Sequence, residues 1–278
     1  MIKEYIFENV KDFNLRHIFE CGQCFRWNRQ PDGSYSGQAW GRPANVSMDG
    51  SRVRVRALEK DGENGENGEN FWREYFDLDR DYGSIKRILA EKDPVVAEAI
   101  KSGEGIRILH QEPWETIVSF IISSNNNIPR IKGCIERLAG LCGTFCGEFE
   151  GKAVYNVPAA EVLAKMEPGD LAPAGLGYRA AYLVKTARQV IASGDSFPPL
   201  RSLAGVGPKV ESCIRLFGFG DLSSFPIDVW VRRVMSELYG FDEGDISGMQ
   251  KFAADTFGPY GGIAQQYLFY YIREASKQ

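Results

Sequence analysis

The stretch Leu203-Ala-Gly-Val-Gly-Pro-Lys-Val210 constrains the chain more than any other, because Gly205 and Gly207 let two helical segments meet in a turn too tight for side chains. A turn of this kind leaves backbone amides exposed at a helix start, where unpaired N–H groups and the helix dipole bind a phosphate. Pro208 suits the first helical turn, in which a missing N–H costs nothing. Lys209 then stands at the positive end of a helix running through Val210, Cys213, Ile214 and Phe217. The dipole there disfavours an ammonium, and a neutral lysine is a nucleophile. Asp228, in Pro226-Ile-Asp-Val229, has the opposite setting: it falls in the first turn of the next helix, where the same dipole favours a carboxylate.

The rest of the sequence supplies a frame for that pair. Residues 1–80 read as an antiparallel sheet domain: Asp32-Gly33 and Asp49-Gly50 are hairpin turns, and Val53, Val55 and Ala57 alternate with Arg52, Arg54 and Arg56 as in a half-buried strand. The Gly-Glu-Asn repeat at 62–70 is charged and devoid of apolar residues, and reads as a disordered loop tip near 61–70. From residue 81 to 278 the period is helical. Trp114, Ile117, Val118, Ile121 and Ile122 form one apolar face, and Ile131, Cys134, Ile135 and Leu138 another after Pro129, with Ser123-Ser-Asn-Asn-Asn127 between them. Further helices are predicted over Ala159–Lys165, Arg179–Ala192, Pro208–Phe217, Asp228–Tyr239 and Gly262–Ala275. The fold class is α+β, a small N-terminal sheet domain followed by a mainly helical body with a helix-hairpin-helix at about 196–218.

A net charge of −4 argues against a nucleic-acid partner. The acidic residues nevertheless crowd into 59–70 and 242–245, which leaves Arg130, Lys132, Arg179, Lys185, Lys209, Arg232 and Arg233 to make a local basic surface. Cys21-Gly-Gln-Cys24 has the spacing of a zinc knuckle, but no second such pair accompanies it and His17 and His110 are the two histidines, so no metal is expected. No apolar run approaches a membrane span, and the N-terminus has no signal-peptide pattern, so the chain is expected in the cytoplasm, at the nucleoid if it is prokaryotic.

The hairpin, Lys209 and Asp228 resemble the helix-hairpin-helix DNA glycosylases that end in a Gly/Pro-rich stretch and an aspartate. Cys21-Gly-Gln-Cys-Phe-Arg-Trp27, Ser119-Phe-Ile-Ile-Ser-Ser-Asn-Asn-Asn127, Gly175-Leu-Gly-Tyr-Arg-Ala180 and Phe257–Phe269 extend the resemblance over nearly the whole chain, to the 8-oxoguanine DNA glycosylases. It implies a bifunctional glycosylase/lyase in which Lys209 attacks the sugar and Asp228 stabilises the cationic sugar. The Gly22 carbonyl would accept the N7 hydrogen that oxidised guanine has and guanine lacks. Cys213 and Phe269 would sandwich the extruded base, with Gln265 on the same helix face as Phe269 reading its Watson–Crick edge. Asn125 would fill the hole left in the duplex, and Arg130, Tyr178 and Arg179 would read and wedge the opposite strand, with cytosine preferred there. Gly205 and Gly207 would grip DNA. Trp230 stands where many members of the family place a histidine near a phosphate, which puts that grip in doubt. No cofactor is implied beyond a monovalent cation on the hairpin carbonyls of Leu203 and Val206; the family's iron–sulfur branch needs four cysteines after the aspartate helix, and none follows Cys213. The partner implied is double-stranded DNA containing 8-oxoguanine, bound by a monomer.

Each of these residues also has an ordinary structural reading. Phe269 and Cys213 have the character of core residues, the asparagines of caps and turns, Tyr178-Arg179 of surface packing, Lys209 of a solvated lysine and Asp228 of a helix-stabilising carboxylate. Two other functions fit parts of the pattern: an alkylpurine DNA glycosylase, a class that lacks the lysine, and a non-enzymatic DNA-gripping hairpin, which needs Gly205 and Gly207 but neither Lys209 nor Asp228.

Overall fold

The computed structural model describes residues 1–59, 65–194 and 196–276. β1 (Ile2–Phe7) is followed by the short helix α1 (Leu15–Phe19), then by β2 (Asn28–Arg29), β3 (Tyr35–Ala39), β4 (Arg42–Asp49) and β5 (Arg52–Leu58). These strands form one antiparallel sheet in the order β1-β5-β4-β3-β2, with Val46 opposite Val55 and Tyr5 opposite Val55 on its other side. The alternation in β5 is the expected one: Val53, Val55 and Ala57 are buried and the intervening arginines exposed.

α2 (Gly65–Tyr75) overturns the reading of the repeat as a disordered loop, as far as the described residues go; residues 61–64 lie outside them. Local propensity is poor here, and tertiary packing overrides it. Trp72, Tyr75 and Phe76, at the end of the helix and just beyond it, are buried in an aromatic cluster with Phe19 and Trp27, so the helix is anchored from its C-terminal turn. Gly68 belongs to that packing, since a Cβ there would collide with the Tyr5 hydroxyl on β1. The repeat's glycine is the residue that lets helix and strand touch.

The helical body comprises α3 (Tyr82–Lys92), α4 (Pro94–Ser102), α5 (Pro113–Ser123), α6 (Ile128–Cys142), the hairpin β6 (Phe145–Phe149) and β7 (Lys152–Tyr155), α7 (Ala160–Ala164), α8 (Arg179–Ala192), α9 (Pro208–Gly218), α10 (Val229–Tyr239), α11 (Ile246–Phe257) and α12 (Gly261–Ala275). α12 is its centre, contacting α4, α10 and α11, while α5 packs on α9. Both helices are buried almost all round, as central helices are: residues Thr116–Ile122 of α5 and Gly261–Leu268 of α12 are inaccessible. Sequence reading missed α3, α4 and α11, and missed β6–β7. No helix among the described residues is long and apolar enough to cross a membrane.

Sheet domain and helical body are joined through the buried guanidinium of Arg26. Arg26, which follows the Cys21–Cys24 loop, donates through Nε to Glu136 Oε1 of α6 at 2.9 Å and through Nη2 to the Tyr155 carbonyl at 2.7 Å, and its Nη1 lies 3.6 Å from Glu115 Oε2 of α5. Burial, chiefly, pushes the Glu115 carboxyl up to about 7; Arg26 opposes the shift, and Glu112 and Glu136 add to it. A carboxyl held above its unfolded value near 4.5 keeps a proton that the unfolded chain has released. Its stabilising contribution is therefore complete below that value and is lost as pH rises through about 7. The melting temperature of the wild type is expected to fall relative to that of Glu115→Gln between pH 5 and 8. Parallel curves would show that Glu115 is ionised throughout.

Candidate active site and nucleic-acid interface

The Leu203–Val210 turn is held in shape by α8. Gln189 accepts from the Ala204 amide at 2.9 Å and donates to the Ser202 carbonyl at 2.7 Å, and the Thr186 hydroxyl donates to the Ala204 carbonyl at 2.8 Å. Gly205 adopts φ 79°, and a Cβ on it would lie 2.9 Å from the Tyr182 ring, so both backbone and space demand glycine. Gly207 caps α9. The motif departs from the expected form on its first side. In place of a full helix the structure has one 3-10 turn, Leu200–Ser202, preceded by Pro198 and Pro199, which cannot donate to a helical ladder.

Lys209 emerges from the first turn of α9, half-buried, with Nζ 5.1 Å from the centroid of the Phe120 ring on α5. One turn later Cys213 is buried. Burial raises the Cys213 thiol pKa, Lys209 opposes this by its charge and a hydrogen bond, and Asp228 adds to it. One buried sulfur thus senses both residues, although they begin different helices. Asp228 is the N-cap of α10: its Oδ1 accepts from the amides of Trp230 at 3.0 Å and Val231 at 2.9 Å. Its Oδ2 accepts no hydrogen bond, and neither Lys209 nor Asp228 makes a salt bridge, among the described residues. Lys209 thus has no carboxylate partner, and Asp228 keeps one oxygen uncommitted, among the described residues.

The second half of the site joins the sheet domain to α12. Gly22 has φ 79°, and a Cβ on it would lie 3.2 Å from Cε1 of Phe269. The loop owes its shape to Gln23, which sequence reasoning did not single out. Its buried amide donates to the carbonyls of Ile18 and Arg107 at 2.9 and 2.8 Å and accepts from the Leu109 amide at 2.9 Å, while Gln111 donates to its backbone carbonyl at 2.7 Å. Gln265 lies one turn before Phe269 on α12; its Oε1 accepts from Gln266 at 2.8 Å, and its amide nitrogen has no partner among the described residues. The loop docks on the end of α12 through Arg16–Glu274 at 2.6 Å, the His17–Tyr270 ring contact, and Arg273, whose Nη2 donates to the Glu20 carbonyl. Arg273 was also missed, although it follows Gln265 and Phe269 at helical spacing.

The three consecutive asparagines divide their work. Asn126 bonds back to the Ile122 carbonyl at 3.1 Å, and Asn127 caps α6 by accepting from the Arg130 amide at 3.0 Å. Asn125 is exposed and its side chain makes no hydrogen bond among the described residues; its backbone is in the left-handed conformation, φ 48°, that asparagine tolerates. Arg130 is exposed with no side-chain partner among the described residues. Arg179 corrects the expectation of a side chain presented to DNA. It is 3% exposed and donates to the carbonyls of Ser124, Asn125 and Leu176. The α5–α6 turn offers unpaired carbonyls that a buried guanidinium satisfies. Tyr178, 54% exposed, covers that guanidinium at 4.5 Å and donates to the Ser124 carbonyl at 3.3 Å. Trp230 is half-buried against the helical core. The basic surface is smaller than the sequence suggested: Lys132 is tied to the Trp27 carbonyl and Arg233 to Glu237, leaving Arg130, Lys185, Lys209 and Arg232 without ion pairs among the described residues.

Residues 5–117 match the family model described as 8-oxoguanine DNA glycosylase, N-terminal domain, and residues 118–254 that of the HhH-GPD superfamily base excision DNA repair protein. A solved structure of MBOgg1 in complex with a low-affinity DNA ligand is 42% identical, with a TM-score of 0.90 over 98% of this chain and 96% of that one. The Clostridium acetobutylicum 8-oxoguanine glycosylase/lyase, solved with double-stranded DNA containing cytosine opposite 8-oxoG, is 39% identical, with a TM-score of 0.90 over 99% and 98% of the two chains. A probable N-glycosylase/DNA lyase of Methanothermobacter thermautotrophicus is 29% identical over 231 residues, 72% of this chain and 73% of that one.

Proposed function

The chain belongs to the 8-oxoguanine DNA glycosylases of the helix-hairpin-helix superfamily, and we propose that it removes 8-oxoguanine from duplex DNA with Lys209 as nucleophile and Asp228 as electrostatic stabiliser. It is a DNA glycosylase/lyase of base excision repair. The observation that carries the residue assignment is the placement of Lys209 in the first turn of α9, against the Phe120 ring and without a salt bridge, and of Asp228 at the N-cap of α10 with only Oδ1 committed, among the described residues.

The target nucleotide is extruded from the duplex, at a cost of roughly a few kcal/mol in lost stacking. Lys209 Nζ attacks C1′ of the deoxyribose as the base departs, and Asp228 Oδ2 stabilises the positive charge that forms on the sugar. The resulting Schiff base allows β-elimination and cleavage 3′ to the lesion. Phe269 and Cys213 stack on the extruded base, Gln265 reads its Watson–Crick edge, and the Gly22 carbonyl accepts the N7 hydrogen. Asn125 enters the vacated stack. Gly205, Gly207 and the start of α9 hold a phosphate, with Trp230 packed alongside. A monovalent cation would be held by the hairpin carbonyls of Val206 and of Leu203, which also accepts from the Val206 amide at 3.2 Å, and would extend the positive field toward the backbone phosphate. The enzyme acts as a monomer in the cytoplasm, at the nucleoid of a prokaryotic cell. The lysine distinguishes this reading from an alkylpurine glycosylase, and the Lys209–Cys213–Asp228 cluster distinguishes it from a binding hairpin.

Cytosine opposite the lesion is the preferred context, since excision opposite adenine would fix a mutation. With Arg179 occupied in bracing Asn125, the reading of cytosine O2 and N3 falls first to the free guanidinium of Arg130. Single-turnover excision rates opposite each of the four bases test this. Arg130→Ala is expected to lose about 1–3 kcal/mol of discrimination for cytosine. A uniform drop opposite every base would make Arg130 a phosphate contact instead.

A further inference from the structure

Arg273 carries an unmet hydrogen-bonding need at the base slot. Its Nη2 donates to the Glu20 carbonyl, its Cζ lies 5.4 Å from the Phe269 ring centroid, and its Nη1 is 3.9 Å from where a Cβ of Gly22 would be. Nε and Nη1 are buried without an acceptor, and no carboxylate forms a salt bridge with Arg273 among the described residues. A charged N–H removed from water and left unpaired is costly, and the cost disappears when an acceptor enters. With Phe269 resting on Gly22 the slot is closed, so the acceptor must arrive with whatever separates the ring from the loop.

We propose that Arg273 is a specificity-determining residue that donates to the C8 oxygen of the extruded 8-oxoguanine, beside the Gly22 carbonyl that accepts from N7. The inference rests on the reading of Gly22 and Phe269 as the base slot. In 8-oxoguanine the C8 oxygen adjoins N7–H, so a donor next to the Gly22 carbonyl meets the two groups that distinguish the lesion from guanine, which has C8–H and a bare N7. The contact also strengthens as the bond breaks. When Lys209 Nζ bonds to C1′ and the C1′–N9 bond opens, its electron pair passes to N9 and is shared through C8 with the C8 oxygen; the proton shed by the lysine nitrogen ends on the departing base. A guanidinium at that oxygen stabilises the charge developing on the leaving group.

The test compares Arg273→Met with wild type in single-turnover excision of 8-oxoguanine and of 8-thioguanine, and in cleavage at an abasic site. 8-Thioguanine keeps N7–H but presents sulfur, a weak acceptor. The variant is expected to excise 8-oxoguanine roughly tenfold or more slowly, to lose less than about threefold on 8-thioguanine, and to cleave abasic DNA normally, since the charge-assisted hydrogen bond to oxygen is the contact that the other two substrates lack, whereas loss of the donation to the Glu20 carbonyl would slow all three alike. Equal slowing on both bases, or parallel loss on abasic DNA, would overturn the proposal and leave Arg273 as a brace between loop and helix. Arg273→Lys, which keeps the charge and a donor, is the second variant if the methionine form does not fold: it should lose more on 8-oxoguanine than on 8-thioguanine, and equal losses count against the contact. A wild type that releases neither base refutes the slot itself, a result distinct from failure of the arginine contact.

Discussion

Lys209→Gln is expected to abolish the covalent protein–DNA adduct that borohydride traps on a duplex containing 8-oxoguanine, and to reduce base release to the uncatalysed background. The adduct requires a Schiff base, which a carboxamide cannot form. DNA binding and folding should survive. Lys209 has no carboxylate partner to be left unpaired, and its contact with the Phe120 ring is worth about 0.5–1 kcal/mol. The hairpin proposed to grip phosphate is held by Gln189, Thr186 and Gly205, none of which touches the lysine side chain in the hydrogen-bond network of the described residues. Denaturing gels after borohydride treatment, together with a binding isotherm on an abasic analogue, check both halves of the expectation. An adduct of normal yield would place the nucleophile on another residue.

Asp228→Asn is expected to slow excision by about 10²–10³-fold, the scale of a single electrostatic stabiliser removed from a transition state. The substitution isolates charge from structure. Asparagine is an equally good N-cap, and its amide oxygen can accept from the same Trp230 and Val231 amides, so α10 keeps its start and the melting temperature should hardly move. Asp228→Ala serves as the contrast, adding the loss of a cap worth about 1 kcal/mol to the loss of charge. Substrate affinity should be retained in the asparagine variant, because the positive charge on the sugar exists only as the glycosidic bond breaks. Near-wild-type single-turnover rates in that variant would reduce Asp228 to a helix cap.

The chemistry was legible because it is local. A Gly-x-Gly-Pro-Lys turn and a Pro-Ile-Asp helix start each declare their backbone geometry within a few residues, and the helix dipole assigns the charges their setting without reference to the rest of the fold. The apolar positions of α5, α6 and α9 were readable for the same reason, their period being a property of the segment alone. The repeat before Trp72 could not be read in this way. Its glycines and asparagines favour no helix, and α2 exists because aromatic residues at its end and Tyr5 on β1 make a surface for it.

Side-chain roles at the interface were less legible than the backbone. Arg179 in a Tyr-Arg pair reads as a surface group, yet the fold sets it beneath Tyr178 against carbonyls fifty-four and fifty-five residues away. Three adjacent asparagines look equivalent until α5 ends and α6 begins between them, which commits Asn126 and Asn127 to helix termini and leaves Asn125 free.

Sequence alone thus pointed to the residues proposed for nucleophilic attack and charge stabilisation, since that reading depends on residue type and helix position. Which of them are available, and what holds the base slot in shape, was decided by tertiary structure. Gly22 and Phe269 come from opposite ends of the chain, Gln23 finds its distant partners in residues 107–111, and Arg273 acquires its partner only when the sheet domain docks on α12. A buried polar group must find its hydrogen bonds wherever the fold provides them, and that pairing leaves no local periodicity to read.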